Sequence, residues 1–306
     1  MPLTRPRSSV LSLVFAVLFG VGSSLWGAPS WAKTLTLGTI SASPVAETRI
    51  FQPFADHLAG LLSEDGIVTV KVVVAADIHQ MAALLKSGQV DLFIDSSVAA
   101  LTVNHLSGSE YMLSRWKKGR EKYRSVVFVR DDSPITHLKD LKGKVIAFEE
   151  PFSTSGFMLP AMTLHQGGLE LREMAATHSI PPAGTAGFVM AYDNETQVAW
   201  LERGRVQAAA MAEKDYKDFA KTALVPLRVL LETPYVPYHV MVHRAGLDAA
   251  LIARIKTVLK SAHETESGLA ILQAFERTAK FSDIPPDLLD NVLVLKPQLH
   301  LITNTR

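Results

Sequence analysis

Four consecutive residues, Ser153, Thr154, Ser155 and Gly156, bring together three hydroxyls and a glycine with no Lys or Arg among them. They follow an apolar run, Lys144 to Phe148, that Pro151 closes, and they precede a helical pattern reaching Gln166. The group therefore stands where a strand ends and a helix begins. The first amides of a helix have no partner within it, and the aligned peptide dipoles favour negative charge there. Hydroxyls beside such amides can surround a tetrahedral anion with donors. Gly156 lets backbone come close. Pro160 lacks an amide hydrogen and leaves a carbonyl near Gly156 without its helical partner, which predicts an irregular first turn. Ser and Thr are also ordinary helix caps, but three hydroxyls exceed what one cap requires.

Other chemistries find less support. There is no Gly-x-Ser-x-Gly elbow, and no His lies near the Ser cluster in sequence. No Gly-rich phosphate loop with Lys is present, which argues against nucleotide hydrolysis. His239 and His243 have a spacing that suits a metal on a helix, but the segment HVMVH reads as a strand. Four strand residues span about 13 Å, too far for one ion, so a structural role is expected for the pair. The chain has no Cys, so disulfides and thiolate metal sites cannot exist. Neither a cofactor nor a metal is expected.

The elements that must position the hydroxyl turn follow an alternating pattern. Strands are expected over 34–40, 68–75, 90–94, 125–130, 144–148, 206–211, 228–231 and 238–243, several of them apolar on successive residues as strands covered on both faces are. Helices are expected over 46–62, 78–86, 155–166, 195–203, 248–263 and 267–279. This order predicts an α/β chain with mostly parallel sheets. MAALLKSGQVDLFI (81–94) and VAWLERGRVQAAAM (198–211) share one layout, an amphipathic helix, a Gly stop and a short strand. Gly88 and Gly204 stand where a helix end needs a left-handed residue. The echo suggests two lobes built alike, although any α/β chain contains such units. Two extended segments, 123–133 and 236–246, can carry the chain between lobes and would then form a hinge. The division expected is lobe one from 33–130 and 238–306, and lobe two from 131–237.

The first 32 residues read as a cleavable secretory signal: Arg5 and Arg7, an apolar stretch from Val10 to Val21, and Ser30-Trp31-Ala32 before Lys33. Its removal leaves 29 basic against 30 acidic residues. A near-neutral mature chain without basic runs argues against nucleic acid or anionic lipid as partners. A soluble monomer in an exported compartment, most simply a bacterial periplasm, is expected.

The segment HLKDLKGKVIAFEEPFSTSGFMLP, preceded by KYRSVVFVRDDSPI, resembles the phosphonate/phosphite/phosphate-binding family of periplasmic ABC-transporter substrate-binding proteins. The likeness continues in GQVDLFIDSS, RWKKG, AYDNET and VPYHVMVHR, across nearly the whole mature chain. It implies a two-lobe periplasmic binding protein fold of type II, each lobe a mostly parallel sheet flanked by helices, joined by two extended hinge crossovers. It also implies closure on a small oxyanion gripped by Ser153, Thr154 and Ser155. In such a fold Ser41 and Ser43, in the loop after the first strand, should face the cleft or form a plain surface turn. Asp95, Ser96 and Ser97 end a strand at its carboxyl edge, where open parallel sheets bind ligands, or else cap the next helix. Asn194 and Glu195 occupy the corresponding helix start in the second lobe. The family usually has Asp after Gly-x-Val at the second lobe's helix end, and here Gln207 stands there. That departure speaks against a ligand amine and for a simple oxyanion. Arg49, Arg115 and Lys117 could bring positive charge to the cleft, though Arg115 reads first as part of a solvated basic turn. Tyr111 and Tyr123 could line the cleft or pack at the hinge.

The function expected is capture of a phosphonate, phosphite or phosphate and its delivery to a membrane permease, with no bond made or broken. The alternatives are a periplasmic sensing subunit that serves a histidine kinase and, less favoured, an exported serine hydrolase.

Overall fold

The computed structural model describes Met1 and residues 33–300. The expected signal segment therefore lies outside the described residues. Strand β1 (Lys33–Ile40) leads through helix α1 (Pro44–Leu61) to β2 (Ile67–Ala75), and helix α2 (Ile78–Lys86) leads to β3 (Leu92–Ser96). Helix α3 (Ser97–Ser107), β4 (Glu110–Arg115), β5 (Lys122–Tyr123) and β6 (Ser125–Arg130) follow. Next come β7 (Val145–Phe148), a π-helical turn (Thr154–Met158) and α4 (Leu159–Gln166), then β8 (Leu171–Glu173) and β9 (Ala186–Met190). Helix α5 (Asn194–Glu202), β10 (Ala208–Ala212), α6 (Glu213–Phe219) and β11 (Leu227–Glu232) complete the middle of the chain. After them lie β12 (Val236–Pro237), β13 (His239–His243), α7 (Ala249–Ser261), α8 (Glu266–Ala274), β14 (Phe281–Ser282) and α9 (Pro286–Leu293).

All eight expected strands form, with ends moved by at most two residues. The last expected helix stops at Ala274, just before Glu276 and Arg277 take positive φ. Gly88 and Gly204 adopt the left-handed conformation expected of them, with φ of 73° and 68°.

Two six-stranded sheets result, ordered β14-β4-β13-β3-β1-β2 and β11-β6-β10-β7-β9-β8, together with a two-stranded ribbon of β5 and β12. The sheets are mixed rather than mostly parallel. In the first, β2, β1 and β3 run parallel while β13, β4 and β14 pair antiparallel. In the second, β8, β9, β7 and β10 run parallel while β6 and β11 are antiparallel. The reason is the crossing: β6 and β13 enter their sheets from the β5/β12 ribbon, without a βα crossover to make them parallel. Strand β6, placed by the expected division in lobe one, hydrogen-bonds within the second sheet.

The internal echo is a real equivalence of position. Each sheet contains an outer parallel strand, a central one, the strand that follows the echoed helix, and then two antiparallel neighbours: β2-β1-β3-β13-β4 in one, β9-β7-β10-β6-β11 in the other. Each sheet buries both faces. Leu92 and Ile94 pack on one side of β3 and Phe93 on the other; Val126 and Phe128 pack on one side of β6, Val127 and Val129 on the other. Helix α1 buries Phe51, Phe54, Ala55 and Leu58, a stripe at helical spacing. Phe54 stacks on Phe275 with ring centroids 4.4 Å apart. Helix α3 packs Val98, Ala99 and Leu101 into the core of the second sheet, as α9 does with Val292, although each of the two helices follows a strand of the first.

Candidate functional site

The carboxyl ends of β1, β3, β7 and β10 converge on a cavity of about 390 Å³ between the two sheets. The first sheet brings Ser41 and Ser43 after β1 and Asp95 and Ser96 at the end of β3; the second brings Ser153, Thr154 and Ser155 after β7 and Asn194 at the start of α5.

The hydroxyl turn has the irregular geometry that Pro160 predicts. Met158 donates its amide to the Ser153 carbonyl at 2.9 Å, closing a five-residue π-type turn. The Gly156 carbonyl, which Pro160 cannot reach with an amide hydrogen, accepts from the Glu149 amide at 3.0 Å. Gly156 is needed because of Glu149: a Cβ there would lie 2.3 Å from Glu149 Oε2 and 2.4 Å from its Cβ.

Most of the expected donors have protein partners. Ser153 Oγ donates to Glu149 Oε2 (2.7 Å) and accepts from the Gly156 amide (3.0 Å). Thr154 is buried, and its hydroxyl crosses the cleft, donating to Ser96 Oγ (2.9 Å) and accepting from the Val98 amide (3.1 Å) at the start of α3. Ser96 Oγ in turn donates to Asp95 Oδ1 at 3.1 Å. Thr154, Ser96 and Asp95 thus form a hydrogen-bonded chain that joins the two sheets. The Ser155 hydroxyl and the amides of Thr154 and Ser155 have no hydrogen-bond partner among the described residues, so they are the donors of this turn that remain free.

Apart from Lys117, Lys118 and His239, the titratable groups on the rest of the wall are carboxylates and two tyrosines. Glu47, Asp95, Glu149, Glu150 and Asp215 face the cavity with no Lys or Arg within ion-pair distance among the described residues. Burial raises the carboxyl pKa of Asp95 and of Glu149; for Glu47 the burial effect is reinforced by Glu276. A sixth carboxylate, Glu276, is held by Lys117 (2.7 Å) and Arg115 (3.1 Å). Burial lowers the Lys117 pKa, and Glu276 works against that shift. His239, at the start of β13, also lines the cavity with its Nδ1 unpartnered. Burial, and then Lys117 and Arg115, depress its pKa well below the usual 6.5, so the ring is neutral.

The sequence model for the family described as "ABC transporter, phosphonate, periplasmic substrate-binding protein" matches residues 38–288. The chain belongs to this family. Its members are substrate-binding components of transporters and not enzymes. The phosphonates-binding periplasmic protein of Escherichia coli (strain K12) is 24% identical over 277 residues, covering 86% of this chain and 77% of that protein. The tetrathionate sensor histidine kinase TtrS of Salmonella typhimurium is 25% identical over 81% of this chain, which spans only 42% of the kinase. Among solved structures, XAC2383 from Xanthomonas citri, described with chloride ion and separately with ATP, superposes with TM-scores of 0.80 and 0.79 at 26% identity, covering 89% of this chain and nearly all of the other. The type II two-lobe fold is therefore that of this phosphonate-binding family, whose location is the periplasm. No helix among the described residues is long and apolar enough to cross a membrane.

In this member of the family, eight of the eleven sequence-predicted residues line the cavity: Ser41, Ser43, Asp95, Ser96, Ser153, Thr154, Ser155 and Asn194. Three do not. Gly156 is buried against Glu149, Ser97 is fully buried with its hydroxyl on the Pro237 carbonyl, and Glu195 is an exposed residue on the first turn of α5. Arg115 is not in a solvated turn: it ends β4 fully buried, donating to Thr278 Oγ1 and the Phe275 carbonyl. Arg49 is exposed away from the cavity, and Tyr111 lies against the core beneath α2 and α3. Tyr123 does line the cavity, stacked on Tyr238 at 4.5 Å. Gln207 is remote from the cavity and accepts the Val145 amide at the opposite edge of the sheet. Sequence reasoning missed Glu47, Glu149, Glu150, Asp215 and His239. Asp215 was within reach of it, since β10 is the counterpart of β3 and its carboxyl end must open on the same gap.

Proposed function

We propose that this protein captures a small phosphonate bearing an amino group between its lobes and presents it to a membrane permease. One observation carries this reading: a helix-start donor set shares one cavity with five carboxylates that have no ion-pair partner among the described residues, against a single unpaired cation, Lys118. A bare dianion placed there is attracted by the amides of Thr154 and Ser155 and repelled by the carboxylates. An ammonium on the same ligand removes that repulsion and pairs the buried acids. The Gln207 substitution does not bear on this choice, because its side chain is far from the cavity. Calorimetry with methylphosphonate, 2-aminoethylphosphonate, phosphate and sulfate tests it. The expected result is at least about tenfold tighter binding of 2-aminoethylphosphonate than of methylphosphonate, equivalent to about 1.4 kcal/mol. Equal affinity for the two refutes the amine, and no binding of either refutes the phosphonate.

A second reading, a sensing subunit that serves a histidine kinase, rests on the similarity to part of the tetrathionate sensor. Tetrathionate binding together with cross-linking to a kinase, and none to a permease, favours it.

A further inference from the structure

Beside the cleft, and sharing Lys118, Tyr123, Ala212, Asp215 and Tyr238 with it, lies a second cavity of about 550 Å³ with the opposite charge. Two of the three carboxylates facing it are neutralised locally. Glu213 is paired with Arg124 (3.0 Å) and Lys217 (2.6 Å), and Asp218 is paired with Lys214 and with Lys221 (3.1 Å). Lys118, Arg120, Lys122 and Arg277 also line it, and none has a carboxylate within ion-pair distance among the described residues. Against these four cations stands only Asp215, and over the whole lining seven Lys and Arg face three carboxylates, a local excess of four positive charges in a chain whose formal net charge is +1.

We propose that this cavity is a second anion-binding compartment, suited to a phosphoryl group or oligophosphate carrying two or more negative charges. The backbone holds the cations together. Lys118 and Arg277 both take positive φ, 54° and 53°, a left-handed conformation that residues with a Cβ seldom adopt. Amides of one turn donate to carbonyls of the other, Lys118 to Glu276 at 3.2 Å and Gly119 to Arg277 at 3.0 Å, so the two turns are fastened side by side. Like charges gathered on fastened turns repel one another until a polyvalent anion enters between them. Tyr235 completes the wall, with Lys122 Nζ 5.2 Å and the Arg124 guanidinium 4.9 Å from its ring centre, which keeps both cations at the rim of the cavity. A monovalent anion leaves most of the excess uncompensated.

This compartment stands independently of the amino-phosphonate reading, and the test keeps the two apart. Pyrophosphate is titrated into the purified protein at physiological salt, with and without saturating 2-aminoethylphosphonate. The expected result is saturable binding that weakens at least about tenfold in the Arg120→Gln/Lys122→Gln variant, whose residues do not line the cleft, and also in Arg277→Gln. A control variant with the exposed, remote changes Lys71→Gln and Lys86→Gln should bind as the wild type does. Binding unaffected by the phosphonate assigns the cavity to a free polyanion, whereas mutual exclusion assigns it to the far end of a ligand that also occupies the cleft. Absence of saturable binding, retention of affinity in both cavity variants, or an equal loss in the control overturns the proposal.

Discussion

Thr154 carries a different burden from the one its sequence suggests. Its hydroxyl meets Ser96 Oγ and the Val98 amide across the cleft, so it joins the lobes in this conformation as well as shaping the donor turn. Removing it leaves a buried amide without an acceptor, a cost of about 1–3 kcal/mol. Thr154→Ala is accordingly expected to weaken phosphonate affinity by about tenfold and to lower the melting temperature too, whereas Thr154→Ser, which keeps the hydroxyl, should do neither to the same extent. Calorimetry and a thermal melt of both variants decide this; unchanged affinity in Thr154→Ala removes the residue from the closure mechanism. The three hydroxyls were legible as a group because their clustering is local. Their partners were not, because Ser96 and Glu149 reach them only through folding.

At the scale of elements, the strand-to-helix turn after β7 is held open by two residues acting together. Pro160 frees the Gly156 carbonyl, the Glu149 amide takes it, and the Glu149 side chain then fills the space above Gly156 and bonds Ser153. A methyl at position 156 must displace Glu149 and with it the Ser153 hydroxyl. Gly156→Ala is thus expected to destabilise the fold by about 2 kcal/mol or more and to loosen ligand binding, read by denaturant titration and calorimetry. Retention of wild-type stability would show that Glu149 moves aside freely. Pro160 and the glycine were readable signs of an irregular turn. Arg115 was misread for a related reason: its basic neighbours in SRWKKGR suggest solvent, but β4 lies between β13 and β14, and this placement buries the guanidinium over Phe275 at 3.6 Å. Whether a strand is at the centre or the edge of a sheet depends on partners distant in the chain, as β14 is from β4.

At the scale of the whole molecule, His239 links the cleft to stability. Its ring is buried and neutral beside Lys117, Arg115 and Lys118, with its pKa held well below 6.5. As the pH falls through 6.5 the unfolded chain takes up this proton and the folded chain does not, so the unfolded state binds more protons and stability falls with it. The melting temperature should therefore drop between about pH 7 and pH 5 from this residue, and His239→Gln should flatten that part of the profile. An identical slope in the variant would place the acid sensitivity elsewhere.

By itself the sequence determined the α/β alternation, the two echoed halves, the site of the hydroxyl turn and the family, because periodicity, glycine stops and the order Pro-x-Ser-Thr-Ser-Gly are properties of neighbours along the chain. Tertiary structure alone decided the mixed direction of the sheets, the place of β6 in the second of them, the acid-lined wall and the basic cavity beside it. These depend on which carboxyl edges face each other across a gap and on which cations find carboxylate partners, and both are distances in space between residues tens to hundreds of positions apart.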